Sequence, residues 1–320
     1  QTIQEIMKEK HVVIIGAGLG GLECGYILAK NGMKVTVLER EAQVGGCLQT
    51  FRRGAALFDT GFHYVGALGE GESLHTLFSY FDLMSLPWKK LDEDCFDEVV
   101  IGEDTFAFAN KHQRFYERMS ARFPKEREGL KKYVDFLKQV GDHIFDSFNL
   151  QNEGTFTNSL FARSAYEFLN ETIKDPLLRK VLSGTSLKME LNAPTLPLYT
   201  FAQINDSFIR SAWRLRGGGM QIADKLVGGI RTMGGEVKTR SIVTYIKEED
   251  GKVVGVTIND EDYLEADWVI SSTHPAYTVS LVGDSKKMRR IYRDRIANLD
   301  NTFGIDRKST RLNSSHQVLS

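Results

Sequence analysis

Cysteine is scarce in this chain of 320 residues: Cys24, Cys47 and Cys95 are the whole set, and none share a Cys-x-x-Cys spacing. That odd number without paired spacing argues against a disulfide framework, a structural zinc site and a dithiol redox centre, and it fits a reducing compartment. Charge of one sign is lacking too. With 41 Lys and Arg against 42 Asp and Glu, the formal net charge is -1. No overall field recruits nucleic acid or an anionic membrane, and no nucleic-acid-binding motif is visible. There is no internal repeat and no low-complexity segment. The nearly uncharged run from Val12 to Ala29 holds four glycines between Gly16 and Gly21, and Glu23 sits within it. It reads as a buried strand and turn, not as a membrane span or a secretory signal. What these absences leave is a globular protein of ordinary composition, 42% hydrophobic and 26% charged, with small molecules as its expected partners and the cytoplasm as its expected setting.

The informative part comes at once. Residues 11 to 16 read as a buried strand, 20 to 31 as a helix closed by Asn31-Gly32, and 34 to 39 as a second strand ending in Glu39. The first turn carries Gly16-x-Gly18-x-x-Gly21. Such a pattern is weak alone, but between a strand and a helix it describes a dinucleotide site. Gly16 permits the tight turn, Gly18 lets backbone approach a pyrophosphate, Gly21 allows helix to pack on strand, and the helix N-terminus offers free N–H groups. Glu39 falls where a carboxylate accepts hydrogen bonds from both ribose hydroxyls, which disfavours a 2′-phosphate and hence NADP. A nicotinamide-only dehydrogenase would continue with further strand–helix repeats, and after residue 45 there are none.

From about Asn110 to Asn149 the pattern is helical, with Leu130, Tyr133, Val134, Leu137, Val140, Ile144, Phe145 and Phe148 recurring at three- and four-residue steps and Pro124 opening the helix. A second helical stretch, Ser164 to Ser183, is interrupted by Asp175-Pro176, which predicts two helices meeting at a corner. After Gly217-Gly218-Gly219 a helix is expected over about Gln221 to Met233, then a Gly234-Gly235 stop and short strands around 236–239, 242–247, 252–258 and 267–271. Asp250-Gly251 reads as a tight hairpin turn.

Two further segments make a family resemblance specific. Gly45-Gly46-Cys47-Leu-Gln-Thr50-Phe51 and Phe58-Asp59-Thr60-Gly61-x-His63-Tyr64-x-Gly66 resemble the retinol saturase branch of the phytoene desaturase and carotenoid isomerase superfamily. The likeness runs from about residue 10 to 305, strongest before residue 70 and again over 217–275. It implies an α/β fold: a Rossmann-like FAD-binding domain of the two-dinucleotide-binding-domain flavoprotein type, split by a largely helical substrate insertion. The expected division is 1–89 and 213–283 for the FAD domain, 90–212 for the insertion, and 284–305 for the start of a return to it.

The resemblance also implies FAD as a noncovalent cofactor, NAD(P)H as a candidate external electron donor, and hydride exchange at flavin N5 with carbon–carbon double bonds of an apolar isoprenoid such as a retinoid or carotenoid. Reduction is the leading expectation, with desaturation and redox-neutral isomerisation as alternatives. A non-catalytic nucleotide-binding protein or an inactive fragment is the reading from another class. Carried over residue by residue, the cofactor-binding positions are Gly16, Gly18, Gly20, Gly21, Glu39, Arg40, Gly45, Gly46, Gly61 and Val243, the last through its backbone to adenine, against a plain edge strand. Gly217–Gly219 resembles the family's glycine turn beside the flavin, with Leu215-Arg216 where a proline is often found.

No catalytic acid or base declares itself. His63 is the first candidate for the proton that accompanies hydride, weighed equally against a structural histidine. Tyr64 and Trp213 are cavity walls or core, and Cys47 is expected as a small buried residue before a redox-active one. Phe115, Phe136, Phe145, Phe148, Phe156 and Phe161 are candidates to line an apolar tunnel, though most should be core. The basic run Lys286 to Arg295 is a solvated helix face by default and a peripheral membrane contact by alternative. The chain begins with Gln1, and residues 306–320 resemble the translation of a sequencing-library adapter. The expectation is therefore a natural sequence that departs near Ile305, before the segment that completes the flavin site in this superfamily, and weak or absent FAD binding by these 320 residues.

Overall fold

The computed structural model describes residues 10–145, 155–186, 189, 195–283, 285 and 287–299. In chain order the strands are β1 (His11–Ile15), β2 (Lys34–Leu38), β3 (Thr50–Arg53), β4 (Ala56–Asp59), β5 (Val65–Gly66), β6 (Trp88–Lys90), β7 (Asp97–Ile101), β8 (Asp104–Phe108), β9 (Ala212–Leu215), β10 (Glu236–Lys238), β11 (Val243–Glu249), β12 (Lys252–Ile258), β13 (Asp262–Glu265) and β14 (Trp268–Ser271). The α-helices are α1 (Leu19–Lys30), α2 (Ser73–Tyr80), α3 (His112–Arg122), α4 (Arg127–Asp142), α5 (Thr155–Phe161), α6 (Ala165–Thr172), α7 (Pro176–Leu182), α8 (Leu198–Arg210), α9 (Met220–Thr232), α10 (Pro275–Leu281) and α11 (Arg290–Ala297). These elements form two units, one from residues 10–63, 77–88 and 215–299 and the other from 64–76 and 89–214.

The first unit is built on a parallel sheet in the order β10-β2-β1-β14. Val13 stands beside Thr36 on one side and Val269 on the other, and Val37 pairs with Val237. The nearly unbroken apolar runs of β1 and β2 require both faces to be covered. On one face lie α1 and α9, close enough that a Cβ on Gly25 would sit 3.1 Å from both Ile230 and Val37. On the other, Val13, Ile15 and Leu38 share a core with Ile246, Val256, Ile258 and Leu281, which brings in the antiparallel sheet β11-β12-β13. The expected hairpin turn is present: Asp250 and Gly251 both have positive φ, 51° and 74°. Strand β13, which the periodicity did not reveal, follows a second such turn at Asn259 and Asp260, φ 54° and 63°.

The second unit is mainly helical around one aromatic core. Leu130, Tyr133, Val134, Leu137 and Val140 form the buried stripe of α4, packed with Phe115, Met119, Phe168, Phe201 and Phe208. Within the helical stretch expected over 110–149 the described residues form α3 and α4, and Pro124, expected to open the helix, begins the 3-10 turn Pro124–Glu126 that leads into α4. At the expected corner, the Asp175 carboxylate accepts from the N–H groups of Leu177 and Leu178, at 2.8 and 3.2 Å, and starts α7. Two small sheets interrupt the helices: the three-stranded β5-β9-β6, and the hairpin β7–β8, whose Phe106 and Phe108 enter the core. Among the described residues two buried carboxylates sit here: Glu126, which accepts from the N–H groups of Lys174 and Asp175 at 3.3 and 2.7 Å, and Asp206, held by His112 Nε2 at 2.6 Å and Arg210 Nε at 3.0 Å. Among the described residues no helix is long and apolar enough to cross a membrane.

Candidate functional site

The site is assembled from the ends of β1 and β2 and the loops that follow them. Gly16 turns the chain at φ +97°, and its N–H donates to the Leu38 carbonyl at 2.8 Å. A Cβ on Gly21 would lie 2.0 Å from the Gly16 carbonyl oxygen, so only glycine lets α1 start this close to the strand. A Cβ on Gly18 would meet nothing within 4 Å. The space over the turn is open, and no side chain caps α1. Its first-turn N–H groups, which have no partner within the helix, are therefore available to an anion.

Glu39 is buried, 9% exposed. Its Oε2 accepts from the Ala17 N–H and its Oε1 from the Glu41 N–H, both at 2.9 Å. Its own backbone is clamped as well, the N–H donating to Lys238 and the carbonyl accepting from Ser241, each at 2.8 Å. A carboxylate offers about four acceptor positions. Two are spent on backbone, which fixes the orientation and leaves acceptor capacity for a ligand's hydroxyls. A buried acid at the end of the second strand and open N–H groups on the first turn fit the ribose and pyrophosphate of a dinucleotide.

The later glycine segments dock onto this turn. Gly45 N–H donates to the Ala17 carbonyl at 2.8 Å, and a Cβ on Gly46 would sit 3.4 Å from the Gly18 Cα. Gly45 and Gly46 have φ of 108° and 52°. The Thr60 hydroxyl donates to the carbonyls of Cys47 and Gln49 at 3.2 and 2.9 Å, which places Gly61 over Cys47, a Cβ on it being 3.5 Å from the Cys47 carbonyl. Asp59 Oδ1 in turn accepts from the Gly219 N–H at 2.7 Å. Gly217 and Gly218 precede it at φ 90° and 89°. Contacts thus link four glycine-bearing segments, 16–21, 45–46, 59–61 and 217–219.

Comparison with known families matches residues 19–300 to the flavin containing amine oxidoreductases. The chain belongs to that family. Among curated proteins, this flavin-family chain is 29% identical over 293 residues to all-trans-retinol 13,14-reductase of Danio rerio, covering 83% of this chain and 48% of that protein. It is 22% identical over 287 residues to prolycopene isomerase 2, chloroplastic, of an Oncidium hybrid cultivar, covering 84% and 49%. The chain spans about half the length of the curated relatives it matches. Among solved structures, an oxidoreductase from Methanosarcina mazei superposes with a TM-score of 0.68 at 22% identity, covering 92% of this chain and 67% of that one, a likeness of fold.

The other flavin-family positions divide. Val243 is buried at the start of β11, and its carbonyl accepts from the Tyr277 hydroxyl at 3.0 Å. Arg40 is exposed and pairs with Glu41 at 3.0 Å. Gly20 lies in the first turn of α1. His63 follows Phe62, whose side chain would lie 2.8 Å from a Cβ on Gly219, and the imidazole is exposed. Cys47 corrects an expectation. It is exposed, not a small buried residue, because its neighbour Leu48 takes the inward position of the short turn Gly46–Leu48.

In the second unit Tyr64 is core. Its ring packs edge-on to Phe208 and Phe96, with centroids 4.7 and 5.9 Å away. Its hydroxyl donates to Asp97, and burial together with that carboxylate pushes its pKa up, so it keeps its proton. Trp213 Nε1 donates to the Ser211 hydroxyl at 3.0 Å. Of the tunnel candidates, Phe115, Phe136 and Phe156 pack into the aromatic core, Phe145 and Phe161 are exposed, and Phe148 lies outside the described residues. In the basic run Lys286 is likewise outside them, while α11 buries no side chain. What sequence reasoning missed is the tie between Asp59 and Gly219, across 160 residues. The acid at the end of β4 was its one local signal.

Proposed function

We propose that this chain is the nucleotide-holding part of an FAD-dependent oxidoreductase that reduces a carbon–carbon double bond in an apolar isoprenoid. The observation that carries the cofactor is Glu39, buried beside the open glycine turn and aimed by two backbone N–H groups. Membership of a flavin-containing family supports FAD over a nicotinamide at that position. The retinol reductase relatives support the substrate class.

In this reading Glu39 accepts from the adenosine ribose, and its negative charge opposes a 2′-phosphate. The N–H groups at the start of α1 neutralise the pyrophosphate. Gly46 lets the second turn approach Gly18 without a side chain between them. Gly217–Gly219, fastened by Asp59, forms the backbone surface expected beside the isoalloxazine. His63 is proposed as the group that gives up a proton at its imidazole when a reduced carbon is protonated. The flavin, when bound, supplies hydride exchange, while the protein supplies orientation and a site that excludes water.

The test is product analysis with chemically reduced flavin and a conjugated isoprenoid. A product heavier by two hydrogens supports reduction. Unchanged mass with altered double-bond geometry, or loss of hydrogen, would replace it with the isomerase or desaturase reading, and no turnover by the flavin-loaded protein would favour a non-catalytic role.

A further inference from the structure

We infer that Ser272 is an additional phosphate-binding residue, its hydroxyl donating to the pyrophosphate held at the start of α1. This inference rests on the adenosine-diphosphate reading of the glycine turn and adds to it a side chain from the far end of the first unit.

The argument starts with the sheet. β14 lies next to β1, with Ser271 opposite Ile15, and the Ser272 N–H continues the ladder to the Ile15 carbonyl at 2.9 Å. The chain leaves β1 toward β2 on one side, while β14 lies on the other. The carboxyl ends of β1 and β14 therefore flank the point where strand order reverses, the place where open parallel sheets bind their ligands. The residues immediately after β14 are Ser272 and Thr273.

Both reach the glycine turn. A Cβ on Gly16 would sit 3.3 Å from Thr273 Cγ2, one on Gly21 3.3 Å from Ser272 Cβ, and one on Gly20 3.5 Å from Ser272 Oγ. Cβ vectors on a helix tilt toward its N-terminus. A hydroxyl beside the Gly20 Cβ position is therefore on the N-terminal rim of α1, where the open N–H groups are.

The two hydroxyls have different surroundings. Thr273 Oγ1 is 2.8 Å from Ser271 Oγ and 3.2 Å from Thr278 Oγ1, and Ser271 Oγ is 2.7 Å from Thr278 Oγ1. That triangle is turned inward and ties the bend to α10. Ser272 points the other way and is exposed. A neutral hydroxyl beside a helix N-terminus adds a donor to an anion without adding charge.

The test is calorimetric titration of the chain with ADP, using Ser272→Ala and Ser272→Thr. The alanine variant should bind ADP about tenfold more weakly, the loss of one hydrogen bond to a charged group. The threonine variant keeps a hydroxyl and should bind within about twofold of wild type. Both should melt at the wild-type temperature, since the side chain is exposed. Wild-type affinity in Ser272→Ala, or an equal loss in Ser272→Thr, would overturn the role of Ser272 and leave the nucleotide site standing. Absence of ADP binding by the wild-type chain overturns the nucleotide reading itself, and the role of Ser272 with it.

Discussion

The two units use tight packing for different ends. In the first, the closest approaches are made by glycines that keep a surface open. Gly21 brings α1 against the Gly16 carbonyl, where a Cβ would have 2.0 Å, while Gly18 beside it faces empty space. In the second, a comparable squeeze closes a gap. A Cβ on Gly141 would lie 1.9 Å from Asp206 Oδ2, and that carboxylate is held between His112 and Arg210. Glu39 and Asp206 are both buried acids. The first is aimed by backbone N–H groups alone, whereas the second is held by two side chains, the His112 imidazole and the Arg210 guanidinium. Beside the open glycine turn the backbone-aimed Glu39 is the candidate binding group, while Asp206 ties helices together within the second unit.

The largest effect that can break this contrast comes from a pair of substitutions. Gly21→Ala and Gly141→Ala should each cost about 3 kcal/mol of stability by overpacking, measured by chemical denaturation. Only Gly21→Ala should also abolish ADP binding in conditions where both variants are folded. If Gly141→Ala loses ADP binding as completely, the separation between a binding unit and a structural one fails. A smaller effect sharpens the helical side: Asp175→Ala removes the cap of α7 and should cost about 1 kcal/mol while leaving ADP affinity unchanged.

The smallest concerns acid. His11 opens β1 with Nε2 2.9 Å from Thr36 Oγ1. Burial and then Lys34 lower its pKa, partly offset by the Glu265 carbonyl, Asp267 and Glu236. The folded state thus prefers neutral His11, while the unfolded chain takes a proton near pH 6.5, about the ordinary histidine value. This contribution to stability is full above about pH 6.5 and is lost as pH falls through the lowered folded-state value. His11→Gln should flatten the fall of the denaturation midpoint as pH drops below about 6.5. An unchanged slope would assign the acid sensitivity elsewhere.

How much of this was readable in the sequence followed from how local each feature is. Gly16, Gly18, Gly21 and Glu39 act within one strand–turn–helix–strand unit, so residue type and spacing were enough to assign their geometry. Asp175 and Asp250-Gly251 were readable for the same reason, since caps and tight turns are set by their own backbone. The hairpins β3–β4 and β7–β8 were not. Their strands are only four and five residues long, too short for alternation to stand out beside strong helical periodicity nearby. The parts of the site made by distant partners were also hidden. Asp59 meets Gly219 and Ser272 meets Gly20 only because the sheet and its loops bring them together. Cys47 misled because residue type predicts burial, while the inward position of a three-residue turn belonged to Leu48.

The central claim is that the segment from Gly16 to Gly46 holds the adenosine diphosphate end of FAD through a carboxylate that faces the ribose. The most direct measurement is calorimetric titration of the wild-type and Glu39→Ala chains with ADP and with 2′-phospho-ADP. Glu39 as ribose acceptor predicts saturable ADP binding by wild type, no measurable binding of the 2′-phosphorylated ligand, and loss of ADP affinity by about a hundredfold in Glu39→Ala. Equal affinity of wild type for the two ligands, or ADP binding unaffected by Glu39→Ala, would contradict it.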